Sequence, residues 1–525
     1  MNRIEKLRNI FLPIVCASLL MASGCTKKYS EINTDRNTIA TIGAAELPFL
    51  FARAQKEATP SIWNYQIAQN LFADQYAQYI ANTATYFPSD RLVIRMDWVG
   101  AAFNPIYTDV VPQLQSIFEA AEPTSAEYAL ANVLWVQCFH KVTDYWGPIP
   151  YFNAGVPGKA VAYDPQDKIY DDFFKRLTEA VNVLKGKTNE KPYGDFDIMY
   201  AGDVNKWIKF ANTLRLRLAM RISKVDPQRA KTEAEAAFAS GVLTTSPDDD
   251  AYVKRSEVGQ DNNGLSIMSD WNEFRMSASM ESVLKGYSDP RMPVYFLPAQ
   301  KTGTYEGHRN GLTSTQQTQA LNLHDANSHV GPRWSSPAYG GNSNYLATPQ
   351  NVMATAEAYF LRAEGAMLNW NMGGTPKELY EAGITNSMKQ WGITDATVIN
   401  NYINSTSTPV APNDFLNSPP MTNIPVKWDP ANAAVQREQI ALQKWLAIFP
   451  DGHEAWADYR RSRVLKLYPV ANSDNPDITN TTTQWIRRIP FLESEKQNNK
   501  AEVEKAVGLL GGPDKVTTPL WWDKN

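Results

Sequence analysis

The stretch DVNKWIKFANTLRLRLAMRI, Asp203 to Ile222, decides the fold class. Trp207, Phe210, Leu214 and Leu218 recur at three- and four-residue steps, the face of a long buried helix. Arg215 and Arg217 alternate with leucines and so point to different sides. At least one must meet an acidic partner or snorkel to water. Pro227 opens a second helix that ends near Ser240-Gly241, as proline-start and glycine-stop preferences dictate. Further helical patterns run outward from this pair: Ser61 to Ile80, with Trp63, Ile67, Leu71 and Phe72 on one face, Thr124 to Tyr145, then Asn351 to Trp370 paired with Pro376 to Trp391, and Ala431 to Phe449 paired with Glu454 to Leu465. Thr124 with Glu127 reads as a capping box, and Trp146-Gly147-Pro148 as a firm stop. Ala356, Ala363, Gly365 and Gly383 leave room for close helix crossings. Such pairs suggest tetratricopeptide-like units, but no clean 34-residue period repeats. The expectation is a mostly α fold of degenerate tetratricopeptide-like helix pairs, with few strands.

The chain has 525 residues, 43% of them hydrophobic and 20% charged, with 51 Lys and Arg against 55 Asp and Glu. A net charge of −4 argues against a nucleic-acid binder, which carries a basic excess. An aromatic content of 11% argues against disorder.

The N-terminus sets the compartment. Arg3, Lys6 and Arg8 precede an apolar run from Ile10 to Ala22, then Ser23, Gly24 and Cys25. This is the build of a secretory signal, and the run is too short to span a membrane. A Cys directly after small residues resembles the bacterial lipoprotein signal, in which that Cys is acylated. Ala22 departs from the large aliphatic usual at its position, and an ordinary signal peptide is the alternative. The expected organisation is a signal peptide at 1–24, a lipidated tether at 25–45 and a single domain at 46–525. With Cys16 removed and Cys25 lipidated, only Cys138 remains, so no intrachain disulfide is available. In its apolar helix Cys138 reads as a buried small hydrophobe.

Catalytic signatures are weak. His453-Glu454 starts like a zinc-protease helix, but Ala457 stands where the second His belongs. His324 and His329 read as solvated loop residues, and Asp248-Asp249-Asp250 as a solvated acidic turn, since a calcium loop spaces its ligands at alternate positions. Gly341-Asn342-Ser343-Asn344 lacks the last Gly of a nucleophile elbow. There is no phosphate loop and no dinucleotide fingerprint. Paired carboxylates for glycoside hydrolysis stay open, because their spacing is a three-dimensional property. No cofactor and no metal is expected.

Residues 242–350 differ from the rest: Gly, Asn, Ser, Thr and Gln with interspersed aromatics. A long irregular segment rich in aromatics reads as a binding surface. Trp98, Trp271, Trp334, Tyr339 and Tyr345 are the candidate ligand platforms. Asn342 and Asn344 flank them and can each donate and accept hydrogen bonds.

Several segments resemble the SusD/RagB family of outer-membrane nutrient-binding lipoproteins. Glu31-Ile32-Asn33-Thr34-Asp35-Arg36-Asn37 is similar to its opening, with Arg36 in place of the common Pro. Asp144-Tyr145-Trp146-Gly147-Pro148-Ile149-Pro150 is similar to its internal turn. Trp207 to Arg217, Glu357 to Glu364, Tyr380 to Ile384, Asp458 to Arg461 and Arg487 to Phe491 follow in the family's order. The resemblance implies a SusD-like helical fold and a non-catalytic, surface-exposed lid anchored in the outer membrane by its lipid. Such a lid captures an oligosaccharide and passes it to a SusC-like TonB-dependent barrel. The physics suits sugar, whose C–H faces stack on aromatic planes while its hydroxyls need fixed donors and acceptors. A peptide-capturing member and a surface glycosidase are the alternatives.

Overall fold

The computed structural model describes residues 42–156 and 160–524. The signal peptide, Cys25 and most of the tether lie outside the described residues. Leu47–Asn525 forms one compact unit.

Asp203 starts the deciding helix by accepting the backbone N–H groups of Asn205 and Lys206, two of the donors that a helix start leaves unpaired. The principal helices are α1 (Leu47–Glu57), α2 (Val111–Ala120), α3 (Ala126–Trp146), α4 (Gln166–Lys185), α5 (Val204–Arg221), α6 (Pro227–Ser240), α7 (Gly264–Trp271) and α8 (Ala278–Gly286). After the central segment come α9 (Thr355–Met367), α10 (Pro376–Gln390), α11 (Ala396–Ile403), α12 (Ala433–Ala447), α13 (Gly452–Ser462) and α14 (Lys500–Leu509). α3 packs on α4, α5 on α6, and α9 on α10, while α4 and α9 each reach α5. A Cβ on Gly383 of α10 would lie 2.8 Å from the Phe360 ring of α9, so the expected close crossing is real.

Three details differ from the sequence reading. The cap of α3 is Ser125, whose side chain accepts from Tyr128 N–H, rather than Thr124. Ser61 to Ile80 is not a regular helix: Gln66–Asp74 winds as a π-helix, which turns Trp63 out to solvent. α12 and α13 do not lie along each other. α12 packs on α9 and α10, and α13 packs on Gln66–Asp74.

Strands are short. β1 (Ile80–Asn82) pairs antiparallel with β3 (Phe274–Met276), and β2 (Ala251–Val253) with β4 (Gln350–Met353). The β2–β4 pair thus ties the two ends of the loop-rich segment to each other, and β1–β3 ties its middle to the chain after Gln66–Asp74. Asp249 and Asp250 are buried, not part of a solvated turn. Asp249 accepts from Thr244 and Thr245 N–H and pairs with Lys209. Asp250 accepts from Thr355 N–H.

The core is held by ionic girders as well as apolar contact. Arg217 grips Glu357 of α9 through two bonds of 2.6 Å. Arg221 reaches Glu454 of α13 at 2.5 Å and Asp144 of α3 at 3.1 Å. Arg461 holds Glu364 and Asp458, and Lys444 also binds Asp458. All four cations are buried and each faces two carboxylates, so removing one carboxylate leaves a buried charge only partly compensated. Arg215 finds Glu233 of α6, so both arginines of the opening stretch are paired. Trp146 donates to Pro490 O and Trp445 to Ala77 O, both as buried structural rings. Cys138 is buried among apolar neighbours, and burial pushes its thiol well above the ordinary range.

Candidate ligand-binding site

The β1–β3 pairing sets Asn82 opposite Phe274 and brings 83–98 beside 271–276. Thr83 N–H donates to Glu273 O at 2.9 Å. Glu273 is then clamped by two side-chain donors, the Tyr86 hydroxyl on one oxygen and Gln66 Nε2 on the other at 2.5 Å. Tyr86 is 67% exposed, and its ring lies 4.7 Å from Phe87. Phe87 meets Trp98 edge-on at 5.8 Å. The Arg95 guanidinium covers one Trp98 face at 4.4 Å while pairing with Asp97. Trp98 is therefore half-buried, presenting part of its ring.

α7 leads directly into this cluster, ending two residues before Glu273. Asn263 caps it by accepting from Ser266 N–H, and Trp271 stands 44% exposed at its last position. Asp270, one residue earlier, accepts from the Tyr345 hydroxyl at 2.5 Å. Ser266 Oγ donates to Tyr345 O, so the loop bearing Tyr345 is tied to the helix bearing Trp271. Partial burial, and then donation to a carboxylate, push the Tyr86 and Tyr345 phenols up to about 12. Both stay neutral donors at physiological pH.

The remaining candidates divide. Tyr339 stacks at 4.4 Å on His329, a half-covered ring. Asn342 and Asn344 are exposed and available. Trp334 is 1% exposed, packed against Trp391 and Phe449. It pins the loop, its carbonyl accepting from Ser269, and it has no ring face to offer a ligand. His329 is buried too, contrary to a solvated loop reading: its Nε2 bonds Ser269 O, and burial pushes it down to about 4. Tyr86, Glu273 and Gln66 join the candidates, and none of them is marked by the sequence; Trp63 is exposed as well. The structure thus joins Trp98, Trp271 and Tyr345 through Tyr86, Glu273 and Asp270, and removes Trp334. Among the described residues no group of three or more His, Cys, Asp or Glu side chains is placed to hold a metal ion. No helix among them is long and apolar enough to cross a membrane.

This helical body, with aromatics displayed on short cross-strand connections, has known counterparts. A family model described as the SusD and RagB outer membrane lipoproteins matches residues 26–523. The chain belongs to the SusD-like family. A chitin-binding SusD homologue from Flavobacterium johnsoniae is 37% identical, with a TM-score of 0.81 over 91% of this chain and 99% of its own. A SusD-like protein from Bacteroides thetaiotaomicron is 31% identical, with a TM-score of 0.78 over 91% and 99%. A SusD homologue from Bacteroides uniformis is 30% identical, with a TM-score of 0.80 over the same shares. No curated protein matches the chain. SusD-like membership accounts for the paired helices and makes this a chain of an outer-membrane lipoprotein family.

Proposed function

We propose that this SusD-like protein is a non-catalytic, lipid-anchored receptor on the cell surface. It captures oligosaccharides and delivers them to a SusC-like TonB-dependent barrel. The observation that carries the reading is the exposed aromatic pair Tyr86 and Trp271, set beside oriented polar groups on Glu273, Gln66 and Asp270. Flat rings next to fixed acceptors and donors are what a sugar needs, with C–H faces on the planes and hydroxyls on the polar groups. Glu273 is already committed to two donors, an arrangement suited to orienting a hydroxyl rather than shuttling a proton. A relative described as chitin-binding adds support for a glycan ligand.

The test is a glycan panel read by calorimetry and by product analysis. Saturable binding without cleavage agrees with the reading, whereas cleavage makes the protein a glycosidase and silence across the panel removes the glycan. Affinity capture from native membranes tests delivery: a barrel protein should co-elute, and repeated elution alone would remove the partner.

A further inference from the structure

A funnel opens between Ser61–Asn64 and Ala101–Pro105, flanked in sequence by Trp63 on one rim and Trp98 on the other. The rim adjoins the loop-rich segment, since Ile62 N–H donates to Asn262 O and Arg255 Nη2 to Thr59 O. Its rim residues Asn64, Ala101 and Ala102 are half-buried, while its floor, Ala68, Val142 and His453, is buried. The open space is about 50 Å³. At about 10–15 Å³ for each water-sized group, that space takes roughly four heavy atoms.

The chemistry of the floor is specific. His453 is buried, and its Nε2 lies 3.0 Å from the backbone oxygen of Lys141. A carbonyl only accepts, so Nε2 carries the proton. Burial, with Lys141, His140 and Arg460 close by, holds the ring well below its ordinary pKa and hence neutral. A neutral ring protonated at Nε2 presents Nδ1 as a bare acceptor. That Nδ1 has no partner among the described residues. A buried acceptor calls for a donor, while Ala68, Ala101, Ala102 and Val142 call for a small apolar group beside it. Lys141 also lines the funnel, its ammonium 3.7 Å from Asp451, where it can offer a proton to an incoming oxygen.

We infer that this funnel is a subsite for the acetamido group of an N-acetylated sugar. The amide N–H donates to His453 Nδ1, the methyl rests on the alanine wall, and the carbonyl oxygen accepts from Lys141. A hydroxymethyl group satisfies Nδ1 and leaves the apolar wall unfilled, so the site discriminates acetamido from hydroxyl substituents. This inference rests on the glycan-receptor reading and names the substituent that the receptor selects.

The experiment is titration calorimetry on the detergent-solubilised full-length lipoprotein. Chitohexaose, its deacetylated counterpart and cellohexaose are compared, with the wild type beside Ala101→Leu, which plugs the rim, and His453→Phe, which removes the acceptor. Melting temperature is measured alongside, and if His453→Phe does not fold, Ala101→Leu decides. The expected result is a preference for chitohexaose of about tenfold or more, abolished in the variants because chitohexaose affinity falls further than that of cellohexaose. Equal affinities, or a preference that survives the plug, overturn the inference. A non-acetylated glycan bound in preference to chitohexaose overturns it too, and leaves the glycan-receptor reading standing. No binding to any glycan of a broad panel removes that reading first, and this inference with it.

Discussion

Asp74 makes the stability of this protein depend on pH in a direction opposite to most acids. It closes the π-helical segment and accepts from the Tyr65 hydroxyl at 2.7 Å, from Gln69 Nε2 at 3.0 Å and from Gly452 N–H. These donors favour the carboxylate, but burial outweighs them and pushes its pKa up to about 7. In the unfolded chain it titrates near about 3.9. Between those values the native state holds a proton that the unfolded state has lost, so stability falls as pH rises. The slope is about 1.4 kcal/mol per pH unit, the total is about 4 kcal/mol, and the loss is complete above about pH 7. Asp74→Asn carries no charge at any pH. The variant's stability relative to wild type must therefore climb between about pH 4 and pH 7 and then level off. For a unit as large as Leu47–Asn525 the unfolding entropy is about 1 kcal/mol per kelvin, so the climb amounts to about 4 °C. Scanning calorimetry of both proteins across this range at constant ionic strength reads it. Only the difference matters, so Asp90, pushed by its own burial up to about 6, cancels. Parallel curves, or a difference that shrinks with rising pH, would refute the argument that burial dominates at Asp74.

Trp271→Ala should weaken glycan binding by about 2 kcal/mol or more with little change in melting temperature. Trp334→Ala should instead lower stability by about 3–5 kcal/mol through the cavity it leaves, and the reverse pattern in calorimetry would exchange their roles. Glu357→Ala removes both short bonds of the buried Arg217 guanidinium, leaving it only Glu454 at 3.6 Å, and should cost about 3 kcal/mol, seen as a fall of about 3 °C in melting temperature; no fall would show that the pair is dispensable. Cys25→Ala should lose its acyl chains, which mass spectrometry of the mature N-terminus detects, and a variant still acylated would place the anchor elsewhere.

The long helices were legible because their apolar period is sustained over four or more turns, as along Trp207, Phe210 and Leu214. Gln166–Lys185 is harder to read, although Ile169, Phe173, Leu177 and Leu184 are buried at helical spacing. Its many acidic and basic residues mask that pattern. The π-helical winding of Gln66–Asp74 has no sequence period of its own, so the helical period places Trp63 on one face with Ile67 and Leu71, whereas the structure exposes it. The site was half legible for a physical reason. Composition marked 242–350 as aromatic and polar, but Trp271 and Trp334 look alike in sequence. Only the packing of Trp334 onto Trp391 and Phe449 separates them. Tyr86 and Glu273 meet through strands of three residues, too short for alternation to signal.

The ionic girders also impose an order in time. Arg217 and Arg221 find their carboxylates 140 and 233 residues later in the chain, at Glu357 and Glu454. Trp445 meets Ala77 across 368 residues. A chain that emerges N-terminus first therefore exposes α5 with two cations lacking those partners until α13 has followed. No fragment ending before Glu454 can close the centre of the molecule. Such long-separated contacts slow folding, so the closed centre must wait for the far end of the chain to arrive.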